Sequence, residues 1–228
     1  MGFIIIIAIF IVSLVVQSSL KRKFKKYSQV GLQMGLSGRE VAELMLRDHG
    51  LHDVKVVSVQ GRLTDHYNPA DKTVNLSPDV YGSRSVMATA VAAHECGHAV
   101  QHATAYRPLE MRSSLVPIQA ASGRIINFIF MAMLIGSFAL GMFPFEAALP
   151  VLIGCYTIFT LFAFITLPVE YDATRRALAW IDERNIVTSQ EHAIADDALK
   201  AASRTYLVAA LGSLAMLLYY VSLFLGAD

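Results

Sequence analysis

The sequence predicts a mainly α-helical integral membrane protein, with about four transmembrane helices and a small α+β portion on the cytoplasmic side. Three observations carry that prediction. Apolar residues make up 55% of the 228-residue chain and the mean hydropathy is +0.49, values that point to a bilayer. Four stretches, residues 3–20, 125–143, 147–167 and 207–225, contain no Lys, Arg, Asp or Glu, and each is long enough, at about 27 to 32 Å of helix, to cross the hydrocarbon core. All 19 Lys and Arg fall between residues 21 and 124 or between 175 and 204.

The first stretch has no basic residue before it and is followed by Lys21, Arg22, Lys23, Lys25 and Lys26, the pattern of a retained anchor rather than a cleaved signal peptide. Because cytoplasmic loops collect Lys and Arg, segments 21–124 and 168–206 are expected in the cytoplasm and both termini outside it. The second and third stretches are joined only around Pro144, Phe145 and Glu146, a tight helical hairpin that returns the chain to the side it left. Glu170 then lies on the same side as His94. Residues 1–228 read as a single membrane domain. A net charge of +1 offers no field for a nucleic-acid partner, and two cysteines, Cys96 and Cys155, make no disulfide framework.

The segment between the first two spans has soluble character. Ser37 and Glu40 have capping-box spacing ahead of an apolar stripe of Val41, Leu44 and Met45, with Gly50 past the end. An alternating run from Val54 to Val59 reads as a strand, and Thr73–Leu76 as a second, joined across the turn-favouring Asn68 and Pro69 as a hairpin or small sheet. From Ser85 small helix formers dominate, and the helix is expected to run through His94 and His98 until Pro108 stops it. Thr188 and Glu191 repeat the capping-box spacing and open a helix that continues into the last span.

His94-Glu95-Cys96-Gly97-His98 has the form H-E-x-x-H. On a helix the two imidazoles lie one turn apart on one face and can reach the same ion with bonds of about 2 Å. Glu95, offset by one residue, can take a proton from a water at the metal without entering the coordination shell. Two histidines and a glutamate would be costly to bury unpaired on this small-residue helix.

A third ligand is needed. His102 is two turns from His94, about 12 Å along the axis, too far to share the ion on a straight helix, and is expected in an outer-sphere or solvated role. Gln101 and Thr104 stand where the metzincin extension requires Gly and His, which excludes that class. Glu170 fits better: Pro168 can start a new helix, on which Glu170, Ala173, Thr174 and Ala177 form a small-residue face able to pack against the His94 helix. Asp172 is a candidate outer-sphere carboxylate, and Arg175, Tyr171 and Tyr206 are candidate oxyanion stabilisers.

The chain resembles the YugP-like family of bacterial neutral zinc metallopeptidases. The resemblance runs through Leu63-Thr64-Asp65-His66-Tyr67-Asn68-Pro69, Val74-Asn75-Leu76-Ser77-Pro78, residues 91–101 around the H-E-x-x-H motif, and Leu167-Pro168-Val169-Glu170-Tyr171-Asp172-Ala173. It implies a multi-pass bacterial membrane protease with a zincin-like cytoplasmic portion, one Zn2+ ion, and His94, Glu95 and His98 in the motif's roles. Residues 170–173 are also similar to the second motif of membrane gluzincins, whose glutamate binds zinc. That motif continues with an aspartate four residues on, where this sequence has Thr174, so the ligand role carries over to Glu170 and the aspartate's role does not.

The expected partners are the bilayer and a polypeptide substrate, drawn from membrane-associated or misfolded proteins. Thr73, Val74, Asn75 and Leu76 are expected to form an exposed edge strand to which an extended peptide adds itself. A catalytically silent scaffold that keeps a structural zinc is the alternative. A zinc transporter is disfavoured because the spans hold no Asp, Glu or His.

Overall fold

A computed structural model of the chain describes residues 2–140 and 145–226. Seven helices carry most of them: α1 (Gly2–Tyr27), α2 (Gly38–Asp48), α3 (Pro78–Tyr81), α4 (Val86–Ala103), α5 (Arg107–Leu140), α6 (Phe145–Glu183) and α7 (Ser189–Phe224). Three short strands lie between α2 and α3: β1 (Lys55–Ser58), β2 (His66–Asn68) and β3 (Thr73–Leu76). The described residues fall into two compact units, one drawn from Val15–Glu110 and Pro168–Thr205, the other from Met1–Leu14, Met111–Leu167 and Tyr206–Asp228.

In the second unit Leu152, Ile126 and Tyr220 pack into an apolar cluster, while Phe128, Leu134, Ile135, Val151, Leu211 and Leu218 remain exposed. So much outward-facing apolar surface is the mark of helices solvated by lipid. Among the described residues three helices, Arg107–Gly136, Phe145–Glu183 and Ser189–Phe224, are long and apolar enough to cross a membrane. The 3–20 stretch forms part of α1, with Ile7, Phe10, Ile11 and Leu14 exposed; the side chains of Phe3 and Ile5 lie outside the described residues, as does the turn at Pro144.

The first unit is built as its local signals dictate. Ser37 Oγ accepts from Glu40 N and Glu40 Oε2 accepts from Ser37 N, so the capping box starts α2 where the sequence places it. Thr188 and Glu191 make the same reciprocal pair, and α7 runs from it to Phe224 without a break. Val41, Met45, Leu76, Val80, Ala93, Ala177 and Ile181 are fully buried in one core, which fastens α2, the sheet and α6 around α4.

Four expectations are corrected. First, β2 lies inside the segment expected to be a loop. It escapes period-two reasoning because only three residues pair.

Second, of the hairpin or small sheet expected the strands form the sheet, in the order β1-β3-β2, with β1 parallel and β2 antiparallel to β3. Thr73–Leu76 is therefore the central strand, and its edge role is lost because both of its sides are hydrogen-bonded.

Third, α4 stops at Ala103, with Ala105 at φ 49°, and Pro108 sits in the first turn of α5, where its missing N–H costs nothing. Fourth, Pro168 starts no new helix, since α6 is continuous through it. One lost hydrogen bond costs less than the several unsatisfied groups of a full break in apolar surroundings.

The sheet's polarity follows from its bonds. Lys55 N donates to Lys72 O at 3.0 Å and Val59 N to Leu76 O at 2.9 Å, so the even-numbered peptide groups of β3 face β1 and those of Thr73 and Asn75 face β2. Tyr67, opposite Val74, then turns its own N–H and C=O outward, away from β3.

Asp48 at the end of α2 accepts from Trp180 Nε1 at 2.9 Å and from Arg184 Nε and Nη2 at 2.6 Å each, tying α2 to α6. The Arg184 guanidinium holds the Asp48 carboxyl below its usual range. The tie therefore stabilises fully above the unfolded-state pKa and is lost as pH falls through the folded-state value. Asp48→Asn is expected to lower the denaturation midpoint at neutral pH, with the gap from wild type closing below about pH 4. A gap that does not change with pH in titrated chemical-denaturation curves would contradict this role.

Candidate metal centre

His94 and His98 project from one face of α4, with ring centroids 4.8 Å apart and planes at 82°. Glu170 comes to them from α6 because the two helices touch at backbone distance. A Cβ at Gly97 would lie 2.7 Å from Ala173 O and 3.1 Å from Ala173 Cα, so only glycine lets α6 approach this closely. The small-residue face of α6 is buried as expected: Glu170, Ala173, Thr174 and Ala177 all lie within.

Oε2 of Glu170 is 3.3 Å from His94 Nε2 and 3.7 Å from His98 Nε2, and one ligand atom from each of the three residues lies within 4.8 Å of the others. Four ligands at about 2.05 Å from a tetrahedral zinc are separated by about 3.3 Å, so the donor set fits that ion in chemistry and the Glu170–His94 separation matches its spacing. The Glu170 side chain is only 3% exposed. Burying a carboxylate this deeply is costly unless charges and hydrogen bonds compensate it, and a divalent cation held with His94 and His98 would add to that compensation.

Around these residues lies a ring of polar contacts. Thr174 Oγ1 is 3.2 Å from His94 Nδ1. Gln101, fully buried, brings Oε1 to 3.0 Å from His98 Nδ1 and donates through Nε2 to Val169 O at 2.8 Å and Asp172 Oδ2 at 3.0 Å. Asp172 in turn pairs with Arg176 Nε at 2.5 Å and with Arg175. Glu95 lies outside the three-residue cluster and is buried, and burial pushes its carboxyl above the usual range, with the neighbouring charges of Glu170 and Asp65 adding to the shift against His94 and His98.

The remaining sequence candidates distribute as follows. Asp172 reaches His98 only through Gln101. Arg175 is spent on Asp172, with its side chain 78% exposed. His102 is exposed and pairs with Tyr67 Oη at 2.8 Å, outside the cluster. Tyr171 is exposed beside Glu170, and Tyr206 belongs to the other compact unit. The sequence reading passed over Gln101, Thr174 and Gly97 in these positions. Their signals were present: Gln101 follows His98 by three residues and Thr174 follows Glu170 by four, the helical spacings that share a face.

A family profile described as "Putative neutral zinc metallopeptidase" matches residues 2–225. The chain belongs to that family. It is also 39% identical, over 213 residues covering 92% of this chain and 90% of the relative, to a protein of Bacillus subtilis (strain 168) named "Putative membrane protease YugP". No solved structure matches. In this zinc metallopeptidase family member the cluster of His94, His98 and Glu170 lies within the matched residues, and zinc is the ion that the family's description implies.

Gly97→Ala tests the helix contact on which the cluster depends. The methyl gains about 0.5–1 kcal/mol of helix propensity, but overpacking against the Ala173 backbone costs about 1–3 kcal/mol. A net loss of stability in urea titration is expected, with reduced zinc content, and a stabilised variant with full zinc would refute the close approach.

Proposed function

We propose that this chain is a multi-pass endopeptidase of the gluzincin type in a bacterial cell membrane, with its catalytic side facing the cytoplasm. It hydrolyses peptide bonds using one zinc ion held by His94, His98 and Glu170, with Glu95 as general base. The observation that carries the reading is the gathering of two imidazole nitrogens and one buried carboxylate oxygen within 4.8 Å of one another. Family membership and the name of the Bacillus relative support the peptidase and membrane parts. The confinement of Lys and Arg to residues 21–124 and 175–204 supports the orientation.

A zinc ion held there supplies Lewis acidity, polarising the scissile carbonyl and bringing the pKa of water to roughly 7. Glu95, one residue from His94 and outside the ligand set, takes the proton of the attacking water and delivers it to the leaving amine.

An extended substrate is held along the outer edge of β2, in place of the β3 edge that the sequence suggested. Tyr67 offers its N–H and C=O outward, and its hydroxyl contact with His102 fixes β2 beside α4. Peptide addition there uses backbone bonds and places few demands on side-chain sequence, which suits membrane-associated or misfolded chains as substrates.

Glu95→Gln is expected to lower turnover of an unstructured fluorogenic peptide by about 10²-fold or more while zinc content stays at the wild-type level. Zinc-replete Glu95→Gln with undiminished turnover would overturn the mechanism. Tyr67→Pro removes the outward N–H without touching the β3 ladder, and is expected to depress turnover below that of Tyr67→Ala, with zinc content equal in the two variants. Equal turnover would count against docking on β2.

A further inference from the structure

The two candidate ligand histidines are steadied by unlike partners, and the difference has consequences for how the metal is held. An imidazole binds a metal through one nitrogen only if the proton resides on the other, so whatever faces Nδ1 selects the binding-competent form. For His94 that partner is the hydroxyl of Thr174. A hydroxyl can donate or accept, and it enforces neither tautomer.

For His98 the partner is the amide of Gln101, and its orientation is dictated from outside. One end of that amide faces two acceptors, the Val169 carbonyl at 2.8 Å and the Asp172 carboxylate at 3.0 Å, neither of which can supply a proton when Asp172 is ionised. Turning the amide over would set its oxygen against both, with no proton between any of them, inside a residue that is 0% exposed. The NH2 group therefore points to α6 and the oxygen to His98. Asp172 is kept ionised in this position by Arg176 and Arg175.

We infer that Gln101 is a positioning residue that fixes His98 with its proton on Nδ1 and its lone pair on Nε2, making His98 the preset ligand of the metal centre and His94 the adaptable one. The inference rests on the zinc reading of the cluster given above. The lock and the third ligand come from one stretch of α6: Val169 and Asp172 hold Gln101, Glu170 between them faces the histidines, and Thr174 lies one turn on. Any shift of α6 along α4 would release the lock and withdraw the carboxylate together.

The test uses the full chain in detergent. Zinc affinity is measured by competition with a chromophoric chelator for wild type, Gln101→Met and Thr174→Val, and the imidazole N–H signals of the cobalt-loaded proteins are followed by NMR in H2O and D2O. Gln101→Met is expected to weaken zinc binding by about 10- to 100-fold, and Thr174→Val by several-fold less. Cobalt-loaded wild type should show one slowly exchanging imidazole N–H, assigned to His98, that becomes fast or disappears in Gln101→Met.

Equal affinities for wild type and Gln101→Met would overturn the inference. So would a cobalt-loaded wild type without a protected N–H, and that measurement needs no variant to fold. Wild type that binds neither zinc nor cobalt would sink the metal reading itself, a result distinct from the other two.

Discussion

The approach of α4 and α6 at Gly97 and Ala173 sets the terms for everything else in the polar unit. Two helices carrying ordinary side chains keep their axes about 8–10 Å apart, and at that distance a glutamate on one would meet the histidines of the other only by chance of rotamer. Here the missing Cβ of Gly97 admits the Ala173 backbone itself. Residues on either side of that point, Glu170 and Thr174 on α6 and His94, His98 and Gln101 on α4, are then brought within hydrogen-bonding or near-bonding distance as a group. The contact is steric in origin and chemical in effect.

Such a contact gathers polar groups in a place where polar groups are expensive. Taking a carboxylate out of water carries a penalty of several kcal/mol that its neighbours must offset, and Glu170 has almost no exposure to water. Most of the surrounding polar groups answer one another: the Gln101 amide satisfies the acceptors of α6, and Asp172 is paired with two arginines. His94, His98 and Glu170 bring two imidazole nitrogens and one carboxylate oxygen within 4.8 Å of one another, a donor set suited to a divalent cation. Metal binding and the packing of α6 against α4 are on this account one equilibrium, so ion affinity should report on helix packing and the reverse.

The sequence made the H-E-x-x-H helix face, three long apolar helices, both capping boxes and the approach of Glu170 to the histidines legible, because each depends on local spacing or on composition over about 20 residues. Strand order was not legible. The three-residue β2 carries too little pattern to register, and without it Thr73–Leu76 passes for an edge. Pro168 misled for a related reason: local propensity says that a proline opens or ends a helix, whereas the apolar surroundings of α6 make continuity the lesser cost. Thr174 stands where the resembling motif has an aspartate, so the sequence gives it no role at the site, yet its hydroxyl lies 3.2 Å from His94 Nδ1. Gln101 counts in the sequence only against the metzincin extension and Gly97 only as a motif spacer, and the packing of α6 gives both their roles.

The central claim is that zinc is held by two imidazoles and a carboxylate, and X-ray absorption at the zinc K-edge of the purified, zinc-loaded protein tests it most directly. The account predicts about one zinc per chain with a shell of nitrogen and oxygen only, near 2.0–2.1 Å, and outer-shell scattering from two imidazoles. A sulfur shell at about 2.3 Å, or the same two-imidazole spectrum with undiminished zinc in Glu170→Ala, would contradict it.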